Sequence, residues 1–229
     1  MKSNVKVATQ VRQAVFDGGA RFWRPEDFEA NPLTVDRALS RLEGDRVLRR
    51  IRRGLYWRGV ETALGMAPPD RSELVEAVVG RRGVGPAGAS AALQLGLTTQ
   101  FPRQPEIAVP ARPPSGLAGI TFRNRASRTG RVSEDLTALE VAVLEVLEDW
   151  DDVVELPDRD AVAELVDVLR KRVDVARLAR AAVSERPLVR ERLRMLLDRA
   201  GFAALSAAIP EARSERTRSL ARNVGGLAA

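Results

Sequence analysis

Val47-Leu48-Arg49-Arg50-Ile51-Arg52-Arg53-Gly54-Leu55-Tyr56-Trp57 is the stretch on which the fold turns. Two short runs bearing apolar residues flank Arg52-Arg53-Gly54, which predicts two strands joined as a hairpin with a basic tip. Four of the five positions from 49 to 53 are arginine. Two readings compete: contact with a polyanion, or charges that blunt an edge strand against pairing.

The residues before the hairpin favour the first. Asn31-Pro32 opens a helix over about 33–43, with Val35, Ala38, Leu39 and Leu42 as its buried stripe. Thr34, Arg37 and Arg41 recur at spacings of three and four on another face, with Ser40 alongside, and Gly44 stops the helix. Further upstream, Phe22-Trp23 is a short extended piece, followed by a helix start at Pro25 with Glu26 and Asp27 in its first turn. A first helix over 4–17 carries Val7, Val11, Ala14 and Val15 on one face and ends at Asp17-Gly18-Gly19. Three helices and a basic hairpin in that order predict a winged helix-turn-helix over residues 1–62. The helix at 33–43 then suits a DNA major groove, with Thr34, Arg37, Ser40 and Arg41 as contacts. Arg49, Arg50, Arg52 and Arg53 form the wing.

Charge is distributed accordingly. Residues 1–60 hold 13 Lys/Arg against 7 Asp/Glu, a balance of +6, while the remaining 169 hold 24 of each sign. Later, residues 134–174 hold 14 acids against 4 bases, and 175–222 hold 11 bases against 5 acids. These blocks read either as solvated helix faces or as partner surfaces. Arg177, Arg180, Arg190 and Arg194 recur at helical spacing within the basic block and are the candidates for a partner surface.

The chain has no Cys and no His, which removes disulfides, thiolate metal sites and the usual nucleophile–imidazole pairs. No metal, no cofactor and no catalytic residue is expected. The start of the chain, Met1-Lys2-Ser3-Asn4-Val5-Lys6, has no signal-peptide core behind its charges, and no apolar run approaches a membrane span. A cytoplasmic protein without membrane contact is expected.

Gly59 to Pro69 reads as a linker, and residues 68–208 as a second α+β module. Its expected elements are helices near 71–79 and 89–95 around a glycine-rich turn, and strands near 105–110 and 120–123 separated by Pro113-Pro114-Ser115-Gly116. Helices follow at about 135–150, 158–170, 173–183 and 187–200. Residues 209–229 read as a flexible tail. The fold class is therefore α+β: a winged helix-turn-helix, then a mixed module with a small sheet and a helical C-terminus. Gly83-Val84-Gly85-Pro86-Ala87-Gly88 satisfies a dinucleotide fingerprint in letters, but the segment before it reads as a helix and Pro86 lacks the amide a pyrophosphate needs. Its glycines read as turn and packing residues. Glu148, Asp149, Asp151, Asp152 and Glu155 read as a solvated acidic turn; the alternative is a metal-dependent nuclease site.

The order of motifs resembles a known family. Phe22-Trp23-Arg24-Pro25-Glu26-Asp27-Phe28, then Ala38-Leu39-Ser40-Arg41-Leu42, then the arginine-rich hairpin ending in Gly54-Leu55-Tyr56, resembles the N-terminal winged helix of the AbiEi-type antitoxins. The block from Gly88 to Pro102, Gly-Ala-Ser-Ala-Ala-Leu-Gln-Leu-Gly-Leu-Thr-Thr-Gln-Phe-Pro, is similar to that family as well. The resemblance covers about residues 10–150. It departs at Gly85-Pro86-Ala87-Gly88-Ala89, where the family more often has Pro-Ser-Gly-Ala. It implies a repressor that binds inverted repeats in the double-stranded DNA of its own operon. It also implies antagonism of a nucleotidyltransferase-like toxin, directly or through a shared target. A stand-alone winged-helix regulator that responds to a small ligand is the alternative.

Overall fold

A computed structural model describes residues 2–114, 117 and 119–224. The architecture is α+β, in two compact units, Met1–Val78 and Val79–Ala229. The division falls after the expected 62/68 boundary because the segment read as a linker belongs to the first unit.

In the first unit α1 (Lys2–Asp17) is followed by β1 (Arg21–Trp23), a single 3-10 turn at Pro25–Asp27, and α2 (Pro32–Gly44). The expected helix at Pro25 stops after that turn. Asp27 Oδ2 accepts from the Arg24 amide at 2.8 Å, and Asn31-Pro32 already begins the next element. The Asn31 side chain caps α2 by accepting from the Leu33 and Thr34 amides at 3.1 and 3.3 Å. Strands β2 (Arg49–Arg52) and β3 (Leu55–Arg58) pair antiparallel, and β1 adds to the far side of β3 in the order β1-β3-β2. Val47 and Leu48, expected in a strand, instead close the end of α2: both amides donate to the Leu42 carbonyl.

Val11, Val15, Trp23, Val35, Leu39, Leu42, Leu48 and Tyr56 make one buried cluster between the helices and the sheet. The expected stripe of α2 is the stripe that faces it. The segment read as a linker contains a second small hairpin, β4 (Glu61–Thr62) with β5 (Gly65–Met66), tied back where Trp57 Nε1 donates to the Ala67 carbonyl at 2.8 Å. Helix α3 (Arg71–Val79) follows, and Arg24 donates to the Ala77 carbonyl at 2.7 Å.

The second unit holds β6 (Gly85–Pro86), α4 (Gly88–Gln94), β7 (Glu106–Val109), β8 (Thr121–Asn124) and α5 (Gly130–Ser133). It continues through α6 (Ala138–Val153), α7 (Asp158–Lys171), α8 (Val175–Ala182), α9 (Pro187–Ala200), α10 (Ala203–Ala208) and α11 (Glu215–Arg222). β6, inside the expected glycine turn, pairs antiparallel with β7, and β7 pairs parallel with β8. Parallel pairing makes 110–120 a crossover, not a hairpin turn; Ser115 and Gly116 of the expected turn lie outside the described residues.

Helix α6 is buried on every face over its first half, with every residue from Glu140 to Leu147 buried, Glu140 and Glu145 included. The expected tail over 209–229 is corrected in part. α11 is ordered, and Ala212, Ala221 and Val224 are buried at 1%, 0% and 1% exposure. Its remaining residues, 225–229, lie outside the described residues.

Candidate nucleic-acid interface

Helix α2 and the β2–β3 hairpin bring most of the predicted contact residues into the same unit as exposed cations. Arg37 and Arg41 on α2, and Arg49, Arg50, Arg52 and Arg53 on the hairpin, are all exposed. Among the described residues none of the six side chains makes an ion pair or donates a hydrogen bond; the Arg50 side chain alone has a partner, the Tyr56 ring at 5.9 Å. A bulge explains how so short a strand exposes so many. Arg50 pairs with Tyr56 and Arg52 with Leu55, so Ile51 is the extra residue. The alternation breaks there, leaving Ile51 half-buried and Arg49, Arg50 and Arg52 exposed.

Four other arginines of this unit are engaged, whereas Arg46 and Arg71 are exposed and, among the described residues, show no ion pair or side-chain hydrogen bond. Arg12 pairs with Asp45, Arg21 with Asp27, Arg24 holds the Ala77 carbonyl, and Arg58 donates to the Val15 carbonyl and lies over the Phe16 ring. Arg46 follows α2 with φ 61°, in the left-handed region.

One buried hydroxyl joins helix to hairpin. Tyr56, 0% exposed on β3, donates to Asp36 Oδ1 at 2.9 Å and lies 2.9 Å from Ser40 Oγ. Burial, opposed by the Ser40 hydrogen bond and reinforced by Asp36, raises its pKa. Ser40, expected as a DNA contact, is half-buried and engaged by Tyr56, so it positions α2 instead of projecting from it. Thr34 is half-buried in the first turn. The phenol was missed at the sequence level because a strand tyrosine next to Trp57 reads as core; only its polar tip hints that core residues must answer it.

The candidate partner surface in the second unit is not a face of free cations. Arg177 pairs at 2.8 Å with Glu140, which is itself 0% exposed, and Arg180 pairs with Glu134 at 2.7 Å. Arg194 holds Glu211 at 2.8 Å and Glu191 at 3.5 Å, and Arg190 donates to the Val183 carbonyl at 3.3 Å. These side chains tie helices and connections of their own unit together.

The acidic block is divided: Asp151, Asp152 and Glu155 are exposed, as a solvated turn requires, whereas Glu140 and Glu145 are buried and ion-paired. Arg131, 0% exposed, donates to Glu145 at 2.6 Å and to Glu185 at 2.7 and 3.0 Å. Arg125 forks onto both oxygens of Glu145 at 2.7 and 2.8 Å, while Glu148 receives Arg186 at 2.8 Å. Arg123 bridges Glu106 and Asp149. Burial works against the Glu145 carboxylate, but the Arg125 hydrogen bond and the charges of Arg131 and Arg125 outweigh it, and its pKa is lowered. Burial of Arg131 is likewise outweighed by Glu185 and Glu145, which raise its pKa. Glu155 accepts from the hydroxyl of Thr98, the backbone amide of Thr99 and the side-chain amide of Gln100, fixing the loop after α4. Among the described residues no group of three or more metal-binding side chains converges.

The dinucleotide-like glycines act as spacers. A Cβ at Gly85 would meet the Ala138 carbonyl and Val141 of α6, and one at Gly88 would meet Arg123 and Glu106. No helix among the described residues is long and apolar enough to cross a membrane.

Residues 22–108 match a protein family described as a family of unknown function, DUF6088. No curated protein matches the chain. Among solved structures, the RV2827C protein from Mycobacterium tuberculosis is similar at a TM-score of 0.45 and 23% identity, covering 90% of this chain and 83% of that one.

Proposed function

We propose that the first unit is a winged helix-turn-helix that binds double-stranded DNA, and that the protein is an antitoxin repressing its own operon. In this reading α2 is the recognition helix and the β2–β3 hairpin the wing. The observation that carries it is the set of six exposed arginines without ion pairs, on two elements locked together through Tyr56. Many of the chain's other arginines pair with carboxylates, Arg123, Arg125, Arg131, Arg177 and Arg194 among them; six together without such partners repel one another unless a polyanion meets them. Arginine forks suit both guanine edges and phosphates.

The antitoxin half of the reading rests on the resemblance to AbiEi-type proteins, which extends through the Gly88–Pro102 block. It assigns antagonism of a nucleotidyltransferase-like toxin to the second unit. The two activities are then separable. A full-length variant with Arg37, Arg41, Arg52 and Arg53 all changed to Ala should lose repression of a reporter driven by the DNA upstream of its own gene. Co-expressed with the neighbouring toxin, it should still rescue growth. Repression at the wild-type level by this variant would reject the DNA assignment, and failure of the intact protein to rescue would reject the antitoxin assignment.

A further inference from the structure

We infer that Leu33 is a base-reading side chain, which packs on the 5-methyl group of a thymine in the major groove. The inference rests on the DNA reading of the first unit and deepens it, adding an apolar contact to the arginine contacts of α2.

Leu33 is 70% exposed in the first turn of α2. A single exposed leucine is ordinary on a protein surface; the position of this one carries the argument. Four residues make slightly more than one helical turn, so Leu33, Arg37 and Arg41 follow one another along one side of α2. All three are exposed, and the buried stripe Val35, Ala38, Leu39 and Leu42 occupies the opposite side. The two carboxylates of the helix, Asp36 and Glu43, lie about 100° and 120° round its axis from Arg37. Both are half-buried, and Asp36 is engaged by Tyr56. The exposed stripe thus carries one apolar side chain, two cations without ion pairs among the described residues, and no acid.

The first turn holds Leu33 in place. Its amide and that of Thr34 donate to Asn31 Oδ1 at 3.1 and 3.3 Å, and the Asn31 carbonyl accepts from Thr34 and Val35. Pro32 fixes the backbone just before it. Little backbone ordering is left for binding to supply. Recognition helices of this class contact base edges with residues near their N-termini. Among the groups that base edges present in the major groove, the thymine methyl is the one an aliphatic side chain recognises. The rest are hydrogen-bond donors and acceptors, and the acceptors of guanine suit Arg37 and Arg41. Four residues rise about 6 Å, close to two base steps. The recognised thymine then lies about two base pairs from the guanine read by Arg37.

The test uses the full-length protein, wild type and Leu33→Ala, on the duplex upstream of its own gene and on a scrambled duplex of the same composition. Each thymine of the native duplex is replaced in turn by uracil, which removes the 5-methyl group and keeps every hydrogen-bonding atom. Leu33 is exposed and alanine is a good helix former, so the melting temperature of the variant should not fall. At one thymine or more, conversion to uracil should cost the wild type about three- to fivefold in affinity, the burial of one methyl group. Leu33→Ala should bind the unmodified duplex more weakly by at least that factor and should no longer distinguish uracil at that position. The salt slope should match that of wild type, since no charge is removed. A uracil scan that is flat for wild type, or a sensitive position that stays sensitive in Leu33→Ala, would overturn the proposal. Equal weakening on native and scrambled duplexes would overturn it too, making Leu33 a contact without base preference. Wild-type binding that depends on salt but not on sequence would remove base reading by α2 and leave phosphate contact standing. If the wild type shows no salt-dependent binding to any duplex, the DNA reading itself falls.

Discussion

The Tyr56 hydroxyl donates to Asp36 Oδ1 at 2.9 Å, which fastens the middle of the β2–β3 hairpin to the first half of helix α2. Arg37 and Arg41 flank the helical end of that link, and Arg50, whose guanidinium lies 5.9 Å from the Tyr56 ring, flanks the other. Two cationic elements thus share one buried polar joint, with Ser40 as its third member.

Tyr56→Phe removes the joint and leaves Asp36 and Ser40 without it. The variant should lose about 1–2 kcal/mol of stability, the cost of stranding partly buried polar groups. Tyr56 binds its proton more tightly when folded, since its pKa is raised above 10.0. Its contribution is therefore complete below about pH 10 and lost as pH rises through the higher folded value. Urea melts between pH 8 and 11 should show a steeper alkaline loss for wild type than for Tyr56→Phe. Parallel curves would remove Tyr56 from the account.

Helix and wing arginines should separate by sequence dependence. Arg37→Ala or Arg41→Ala should cost about 1–3 kcal/mol on the native operator and little on random DNA, as expected of base contacts. Arg52→Ala or Arg53→Ala should weaken both alike and reduce the salt slope by about one. Competition titrations in which all four behave identically would contradict this division.

The second unit should depend on its buried charges. Arg131→Ala leaves Glu145 and Glu185 facing each other's environment without their shared cation, and should cost about 3–5 kcal/mol. Glu145 titrates below its ordinary 4.5. Its stabilisation is therefore present above about pH 4.5 and lost as pH falls through the lower folded value. Glu145→Gln should be less stable at neutral pH and should lose less on acidification from pH 5 to 3. An acid limb as steep as that of wild type would show that other carboxylates govern it.

How much of this was legible in the sequence follows from periodicity. The stripe Val35, Ala38, Leu39, Leu42 carries a clear 3.6-residue signal and α2 stands where expected, whereas the hairpin was legible from the apolar residues on either side of Arg52-Arg53-Gly54 and its first strand begins at Arg49 instead of Val47. The β4–β5 and β6 pairings involve two-residue strands, too short for any alternation to register. Spacing leaves Arg177 and Arg194 open between a solvated helix face and a partner surface, because it identifies a helix side without saying what covers it. For Glu140 and Glu145 a signal did exist: an otherwise apolar helix is buried all round, so its charged residues require partners. Helix α11 lacks even that, since within it Ala221 is the one buried anchor amid charge.

DNA contact is proposed for the six exposed arginines on α2 and the β2–β3 hairpin. The most direct measurement is the affinity of the full chain for the duplex upstream of its gene, from 50 to 300 mM salt. If Arg49, Arg50, Arg52 and Arg53 neutralise phosphates while Arg37 and Arg41 read bases, log K against log[salt] should fall with a slope of about −4. The variant lacking Arg37, Arg41, Arg52 and Arg53 should show a slope of about −1 to −2. A wild-type slope near zero, or one that the fourfold variant leaves unchanged, would contradict the account.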